Sequence, residues 1–276
     1  TVVHLEDTLM ERQMDSVSGK MLKNSLQEKG MEFRMEAQTA EITGNGRVSG
    51  IKFADGSSID TDLVVMAVGI RPNIALAQQA GLHCERGIVV SDTLQTYDPR
   101  IYSVGECVQH RGNTYGLVAP LFEMAKVCAN HLAQMGIGIY TGSVTSTKLK
   151  VTGIDLFSAG DFSGDDSTEE MVMQDAYSGL YKKLVIKDNK LIGAVLYGDT
   201  KEGAWYFQLM RSGQDISDLR DKLLFGESHL GDSGHGGDHI AEMSDDTEVC
   251  GCNGVCKGDI VQAITTEGLF TLDEVR

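Results

Sequence analysis

The chain has 276 residues, 41% of them hydrophobic, and a formal charge of −16 at pH 7. That length accommodates two domains or parts of three, and the charge opposes nucleic acid and anionic membrane surfaces as partners. No apolar run approaches the ~18 residues of a spanning helix, no signal-peptide pattern is present, and the six cysteines follow no disulfide-scaffold spacing, so a reducing cytoplasm is the expected setting.

In chain order, Thr1-Val2-Val3-His4-Leu5 reads as a buried strand already under way, and truncation is expected at both ends. Residues 15–29 carry Val17, Met21, Leu22 and Leu26 at helical spacing, closed by Gly30. Strands are expected over 32–42 and 48–53, the second ending in an Asp55-Gly56 hairpin turn. Residues 63–68 form a continuous apolar run ending at Gly69, the pattern of a parallel strand covered on both faces. Strand, helix, hairpin and buried strand in this order suit the later half of a nucleotide-binding domain.

A second unit runs from Ile88-Val89-Val90 through Thr96 and Pro99 to a strand at 101–104, ending at Gly105-Glu106, with a helix following over 120–134. A third, 145–225, alternates strands at 148–154, 184–186 and 191–196 with a turn at Asp188-Asn189, then two helical runs near 204–211 and 216–223. Residues 226–248 hold five glycines, several carboxylates, and His229, His235 and His239 at no regular ligand spacing; they read as a tether.

Three short patterns carry chemistry. Ala67-Val68-Gly69-Ile70-Arg71-Pro72-Asn73 follows the apolar run, where open α/β sheets bind nucleotides, although any strand can end in a glycine-proline turn. Glu106, just past Gly105, is placed to accept hydrogen bonds from sugar or ribityl hydroxyls while backbone amides face a phosphate; a solvated strand-end Glu looks the same alone. Cys250-Gly251-Cys252 points two thiolates at one soft metal centre, yet four donors are usual for an iron–sulfur cluster. Cys84, Cys107 and Cys128 lack a Cys-x-x-Cys spacing, and Cys256 reads as a free thiol at a helix start.

Together these patterns resemble the pyridine nucleotide–disulfide oxidoreductase family, and within it the assimilatory nitrite reductases. Residues 96–106 are similar to the second FAD motif of that family, with Glu106 where Asp is usual. Ala67 to Asn73 resembles its Ala-x-Gly-x-x-Pro-Asn segment, so the resemblance assigns Ala67, Gly69, Arg71 and Pro72 to the nucleotide site. Tyr115-Gly116-Leu117-Val118-Ala119-Pro120 resembles the stretch beside the flavin. His4 stands where the family often has an acidic residue gripping the adenosine ribose. Residues 148–161 resemble the start of an interface domain, and Cys250 and Cys252 the first pair of a small helical [2Fe-2S] domain whose second pair follows beyond Arg276.

The resemblance implies an α/β, partial two-dinucleotide-domain reductase fold, then an α+β interface domain and the start of the cluster domain. The expected divisions are 1–70 for NAD(P)H, 71–140 for FAD, 145–225 for the interface domain, 226–248 for the linker and 249–276 for the cluster domain. FAD, NAD(P)H and a [2Fe-2S] cluster are the implied cofactors, with sirohaem and a [4Fe-4S] centre beyond this chain and a small reductase subunit as a possible partner. No residue reads as a general acid or base. Rival functions are the electron-transfer subunit of a nitrate reductase and a non-catalytic redox-sensing or docking module.

Overall fold

The structure is a computed structural model and describes residues 1–151, 153–227, 243–250 and 255–268. It divides into two compact units, Thr1–Val68 with Ser146–Leu230, and Gly69–Thr145 with Gly231–Arg276.

In the first unit β1 (Val2–Val3) leads through helix α1 (Ser16–Glu28) to β2 (Phe33–Arg34), which pairs with β1 in parallel. Asp15 starts the helix: its Oδ1 accepts the Ser18 N–H at 2.9 Å, satisfying one of the donors left open at a helix N-terminus. Leu22 and Leu26 turn one face inward, as the spacing predicts. The expected strand over 32–42 is split. β2 stops at Arg34, Glu36 takes a φ of 50°, and β3 (Thr39–Gly44) opens a separate meander with β4 (Val48–Phe53) and β5 (Ser58–Asp60). β4 has the predicted limits, and the Gly56 N–H closes its turn onto the Phe53 carbonyl at 3.0 Å.

Residues 63–68 depart from the sequence reading. They are irregular, with Leu63, Val65 and Val68 76%, 79% and 88% exposed. A buried strand needs neighbours for its N–H and C=O groups, and no described strand pairs with this segment. Apolar composition alone does not make a strand without a ladder.

In the second unit α2 (Ala75–Gln79) precedes β6 (Ile88–Val90), which pairs in parallel with β7 (Val108–His110); β8 (Asn113–Thr114) adds to β7 antiparallel. Helix α3 (Val118–Leu132) lays Met124 and Cys128 onto Val90, Leu94 and Val108, with Tyr140 closing the cluster. The strand expected at 101–104 shrinks to one bridge between Gln95 and Tyr102. Here the chain doubles back on itself: Thr96 N–H donates to the Ile101 carbonyl at 2.9 Å and Ser103 N–H to Leu94 at 3.0 Å. Both flanks are consumed by this loop.

The first unit resumes with an antiparallel sheet of β9 (Ser146–Val151), β10 (Ile154–Gly160), β11 (Glu169–Asp175), β12 (Leu180–Lys187) and β13 (Lys190–Tyr197), in the order β11-β12-β13-β10-β9. The predicted turn between β12 and β13 is present, and Asp188 and Asn189 have φ of 50° and 54°, the pair of positive angles a tight two-residue hairpin demands. Helix α4 (Gly203–Ser212) and a 3-10 helix (Ser217–Phe225), at the two expected helical runs, cover one face. Tyr206, Leu209, Ile216 and Leu223 pack on Leu184, Ile186, Ala194 and Leu196. On the opposite face Leu156, Tyr181, Val195 and Tyr197 meet Leu22 and Leu26 of α1.

In the C-terminal stretch β14 (Glu248–Cys250) pairs with β15 (Val255–Cys256) and α5 (Lys257–Glu267) follows. No described helix is long and apolar enough to cross a membrane.

Asp15 joins helix start to sheet, because its Oδ2 also accepts the Tyr181 hydroxyl at 2.5 Å. Losing a cap costs about 1 kcal/mol and losing a charge-assisted hydrogen bond about 1.5–3 kcal/mol. Asp15→Ala is therefore expected to destabilise the first unit by roughly 2–4 kcal/mol, more than Tyr181→Phe does. Urea unfolding of both variants tests this, and equal losses would remove the cap from the account.

Candidate nucleotide-binding sites

His4 stands at the carboxyl end of β1, the end of a parallel pair at which dinucleotides bind. Its backbone is fixed on both sides: the His4 N–H donates to the Arg34 carbonyl and the Ala37 N–H to the His4 carbonyl, both at 2.9 Å. Its Nε2 lies 3.0 Å from the Thr8 carbonyl and 3.3 Å from Glu11 Oε2. Both neighbours accept only, so Nε2 carries the hydrogen. Arg12 Nε approaches the other Glu11 oxygen at 3.8 Å from an 82% exposed side chain. Ala67 lies in the exposed irregular stretch of the same unit.

In the second unit Gly69 is exposed with a φ of 83°, a conformation that strains any side-chain-bearing residue, although a Cβ there would touch nothing within 4 Å. Arg71 is exposed and Pro72 partly buried. The segments around Gly69 and Gly116 do meet, since Ile70 Cδ1 lies 3.1 Å from where a Gly116 Cβ would stand.

Gly105 has a φ of 103° and open space at its missing Cβ. Glu106 is exposed and none of the described residues bonds its carboxylate. Leu117 is extended and caps α3 without a side-chain bond, leaving the first-turn amides of Val118 and Ala119 open, while Pro120 fits the turn because it has no N–H to satisfy. Taken separately, Glu106 offers a carboxylate with no bond from the described residues, and the start of α3 offers first-turn amides and exposed apolar side chains at Leu117 and Val118. These are the donor and acceptor types a flavin dinucleotide uses, so the residues fit that group.

A polar cluster that the sequence did not announce holds this unit's loops. His110, 1% exposed, donates from Nε2 to Asp92 Oδ1 at 2.9 Å, and Arg111 grips the same carboxylate from Nε at 2.9 Å and NH2 at 2.6 Å. Those bonds, Arg111 foremost and then His110, draw the Asp92 carboxyl down to about 2. Tyr140 tilts against the His110 ring at 4.8 Å and gives its N–H to the Asp92 carbonyl at 2.8 Å. Its hydroxyl bonds Ser143 Oγ at 2.7 Å, and Ser143 donates onward to Glu123 of α3. The visible signal was a His-Arg pair ending a buried strand, with an aspartate following its parallel neighbour.

Cys250 lies in β14, and Cys252, like the histidines of the 226–248 stretch, falls outside the described residues. Among the described residues no three His, Cys, Asp or Glu side chains gather to hold a metal. Cys256 is the N-cap of α5: its sulfur accepts the Asp259 N–H, and Asp259 Oδ2 accepts the Cys256 N–H at 2.9 Å.

Residues 1–119 match the family model described as pyridine nucleotide-disulphide oxidoreductase, and residues 146–214 the rubredoxin NAD+ reductase C-terminal domain. Residues 1–119 thus carry a pyridine nucleotide-disulphide oxidoreductase domain. Over all 276 residues it is 48% identical to a nitrite reductase [NAD(P)H] of Bacillus subtilis, covering 100% of this chain and 34% of that protein. It is 38% identical to the assimilatory nitrate reductase electron transfer subunit of the same organism, with 100% of this chain and 35% of that protein covered. The chain thus spans about a third of the length of these relatives. Among solved structures, a covalent putidaredoxin reductase–putidaredoxin complex matches with a TM-score of 0.70 at 21% identity, covering 82% of this chain and 55% of that one, a likeness of fold.

Because the folded Asp92 carboxyl sits below its ordinary 3.8, its ionised form contributes stability that is complete above about pH 4 and is lost as pH falls toward about 2. Asp92→Asn is expected to lower the melting temperature near pH 6 and to flatten the acid limb between about pH 4 and 2. Circular dichroism melts across that range measure both, and a variant that matches the parent near pH 6 would show that the cluster does not hold the loops.

Proposed function

We propose that the chain is a portion of a flavoprotein reductase that passes electrons from NAD(P)H through FAD to iron–sulfur centres, in the service of nitrite reduction to ammonium. The observation that carries this reading is the 48% identity to a nitrite reductase across every residue of the chain, with both family domains in order. FAD, when bound, supplies the conversion of a two-electron hydride donor into single electrons. The protein's own residues bind and orient. Glu106 would accept from the ribityl hydroxyls, the first-turn amides of Val118 and Ala119 would donate to the flavin, and Leu117 and Val118 would shield it from water. The family resemblance assigns Ala67, Gly69, Arg71, Pro72 and His4, each within its own unit, to nucleotide binding. Cys250 and Cys252 supply two thiolates of a [2Fe-2S] cluster, completed by donors elsewhere in the protein. Sirohaem and a [4Fe-4S] centre belong to the rest of the protein, and a small subunit is the proposed partner.

A second reading, the electron-transfer subunit of a nitrate reductase, is favoured by the 38% identity over the same residues. Full-length protein supplied with NADH and either nitrite or nitrate separates the two: ammonium from nitrite supports the first, and electron delivery to a nitrate-reducing partner alone supports the second. Turnover of neither, and of no artificial acceptor, would remove both.

Two variants test the site assignments. Glu106→Ala loses a charge-assisted hydrogen bond of about 1.5–3 kcal/mol, and flavin retention through gel filtration should weaken roughly ten- to a hundredfold. Undiminished retention would take Glu106 out of the flavin site. Cys250→Ser or Cys252→Ser in the full-length protein should abolish the low-temperature EPR signal of the reduced [2Fe-2S] cluster; a signal unchanged by both means other ligands hold it.

A further inference from the structure

We propose that Ser143 is the positioning residue of the flavin-side turn: it ties Tyr115, just before that turn, to Glu123 inside helix α3, and so fixes where the amides of Val118 and Ala119 stand. The inference rests on the proposed flavin site of the second unit and deepens it. The stretch under its control is exposed from Gly116 to Ala119, and Leu117 caps α3 without a side-chain bond. A helix start without a side-chain cap leaves its first amides open, and their placement then depends on the residues that flank them. Tyr115 lies on one side and Glu123 on the other, and both are partly buried.

Ser143 bonds both. Its N–H donates to the Tyr115 hydroxyl at 3.4 Å, and its Oγ donates to Glu123 Oε2. A carboxylate only accepts, so the Ser143 proton goes to Glu123, and the Tyr140 hydroxyl is the donor in its 2.7 Å bond to Ser143 Oγ. The loop that carries Ser143 is itself anchored. Tyr140, 3% exposed, gives its N–H to the Asp92 carbonyl at 2.8 Å and meets the Tyr115 ring edge-on at 6.0 Å. Gly142 lets the loop pass close to Tyr115: its φ is 109°, and a Cβ there would stand 3.3 Å from the Tyr115 hydroxyl. The latch therefore runs from the Asp92 hub to both flanks of the turn. Side chains of a helix lean toward its N-terminus, which carries the Glu123 carboxylate toward the open amides rather than away from them. Amides at a helix start favour negative charge on the group they face, so displacing them disfavours the reduced, more electron-rich flavin.

The test uses the full-length flavoprotein. FAD affinity is measured by titrating the flavin-free protein with FAD, and the flavin's midpoint potential by spectroelectrochemistry. Ser143→Ala should weaken FAD binding by about tenfold and move the midpoint potential to more negative values. Tyr115→Phe removes only the longer of the two bonds and should shift both in the same direction by less. Ser143→Thr keeps the hydroxyl and should return both to the parental values. A latch that merely stiffened the unit would lower the melting temperature and leave the potential of the retained flavin in place. An unchanged potential in Ser143→Ala therefore overturns the inference, and so does a Ser143→Thr variant no better than Ser143→Ala. Glu106→Ala, measured alongside, keeps the two levels apart: weakened FAD binding there, with parental behaviour in Ser143→Ala, leaves the flavin site standing without the latch. Full-length protein that binds no FAD overturns the site itself, and this inference with it.

Discussion

The first unit is organised around one hairpin that is buried on both faces. β12 and β13 lie at the centre of their sheet, so successive side chains go to opposite cores: Leu184, Ile186 and Leu196 toward α4, Tyr181, Val195 and Tyr197 toward α1. A single-residue slip of register would exchange the two sets. The Asp188-Asn189 turn fixes that register, and polar ties lock each side to it. Lys182 of β12 donates from Nζ to the Leu224 carbonyl of the 3-10 helix at 2.8 Å, and on the α1 face Ser25 and Tyr197 share a hydrogen bond of 2.8 Å. The helix α1, which follows β1 and His4, is thus referenced to the same hairpin as the interface-type domain, although the two lie far apart in sequence.

The second unit solves a different problem with less apolar material. Its described sheets have three and two short strands, and irregular loops make up much of the rest. Asp92 therefore acts as a hub, receiving His110 and Arg111 through its side chain and Tyr140 through its carbonyl. Because His110 is buried, leaving its nitrogen without an acceptor would carry the full cost of desolvation. The loops that present Gly105 and Gly116 are held by such polar closure rather than by sheet continuity.

What could be read in the sequence was what depends on near neighbours. Helix α1 follows from Asp15, its apolar spacing and Gly30; β4 and the two hairpin turns follow from alternation and from residues that tolerate positive φ. Failures came where the outcome depends on a distant partner. Residues 63–68 and 101–104 have strand composition, but the first finds no ladder and the second is drawn into the Thr96 loop. Of the residues proposed for the flavin, Gly105, Glu106 and Gly116 were named from motif resemblance alone. The pairing of Glu11 with His4 was not legible, because only the path of the loop between them brings the two side chains together.

The exposure of residues 63–68 has a practical consequence. Leu-Val-Val-Met-Ala-Val is a six-residue window with high β-propensity, no charge and no proline or glycine, the composition of a steric zipper. Left without a ladder, its backbone groups are open to the same window on another molecule. Charged residues flank it within the chain: Asp60 and Asp62 before the run, the latter 3.5 Å from Arg47, and Arg71 after it. In residues 1–276 handled in isolation this hexapeptide is an exposed site for β-pairing, and salt that screens the flanking charges weakens their opposition to it.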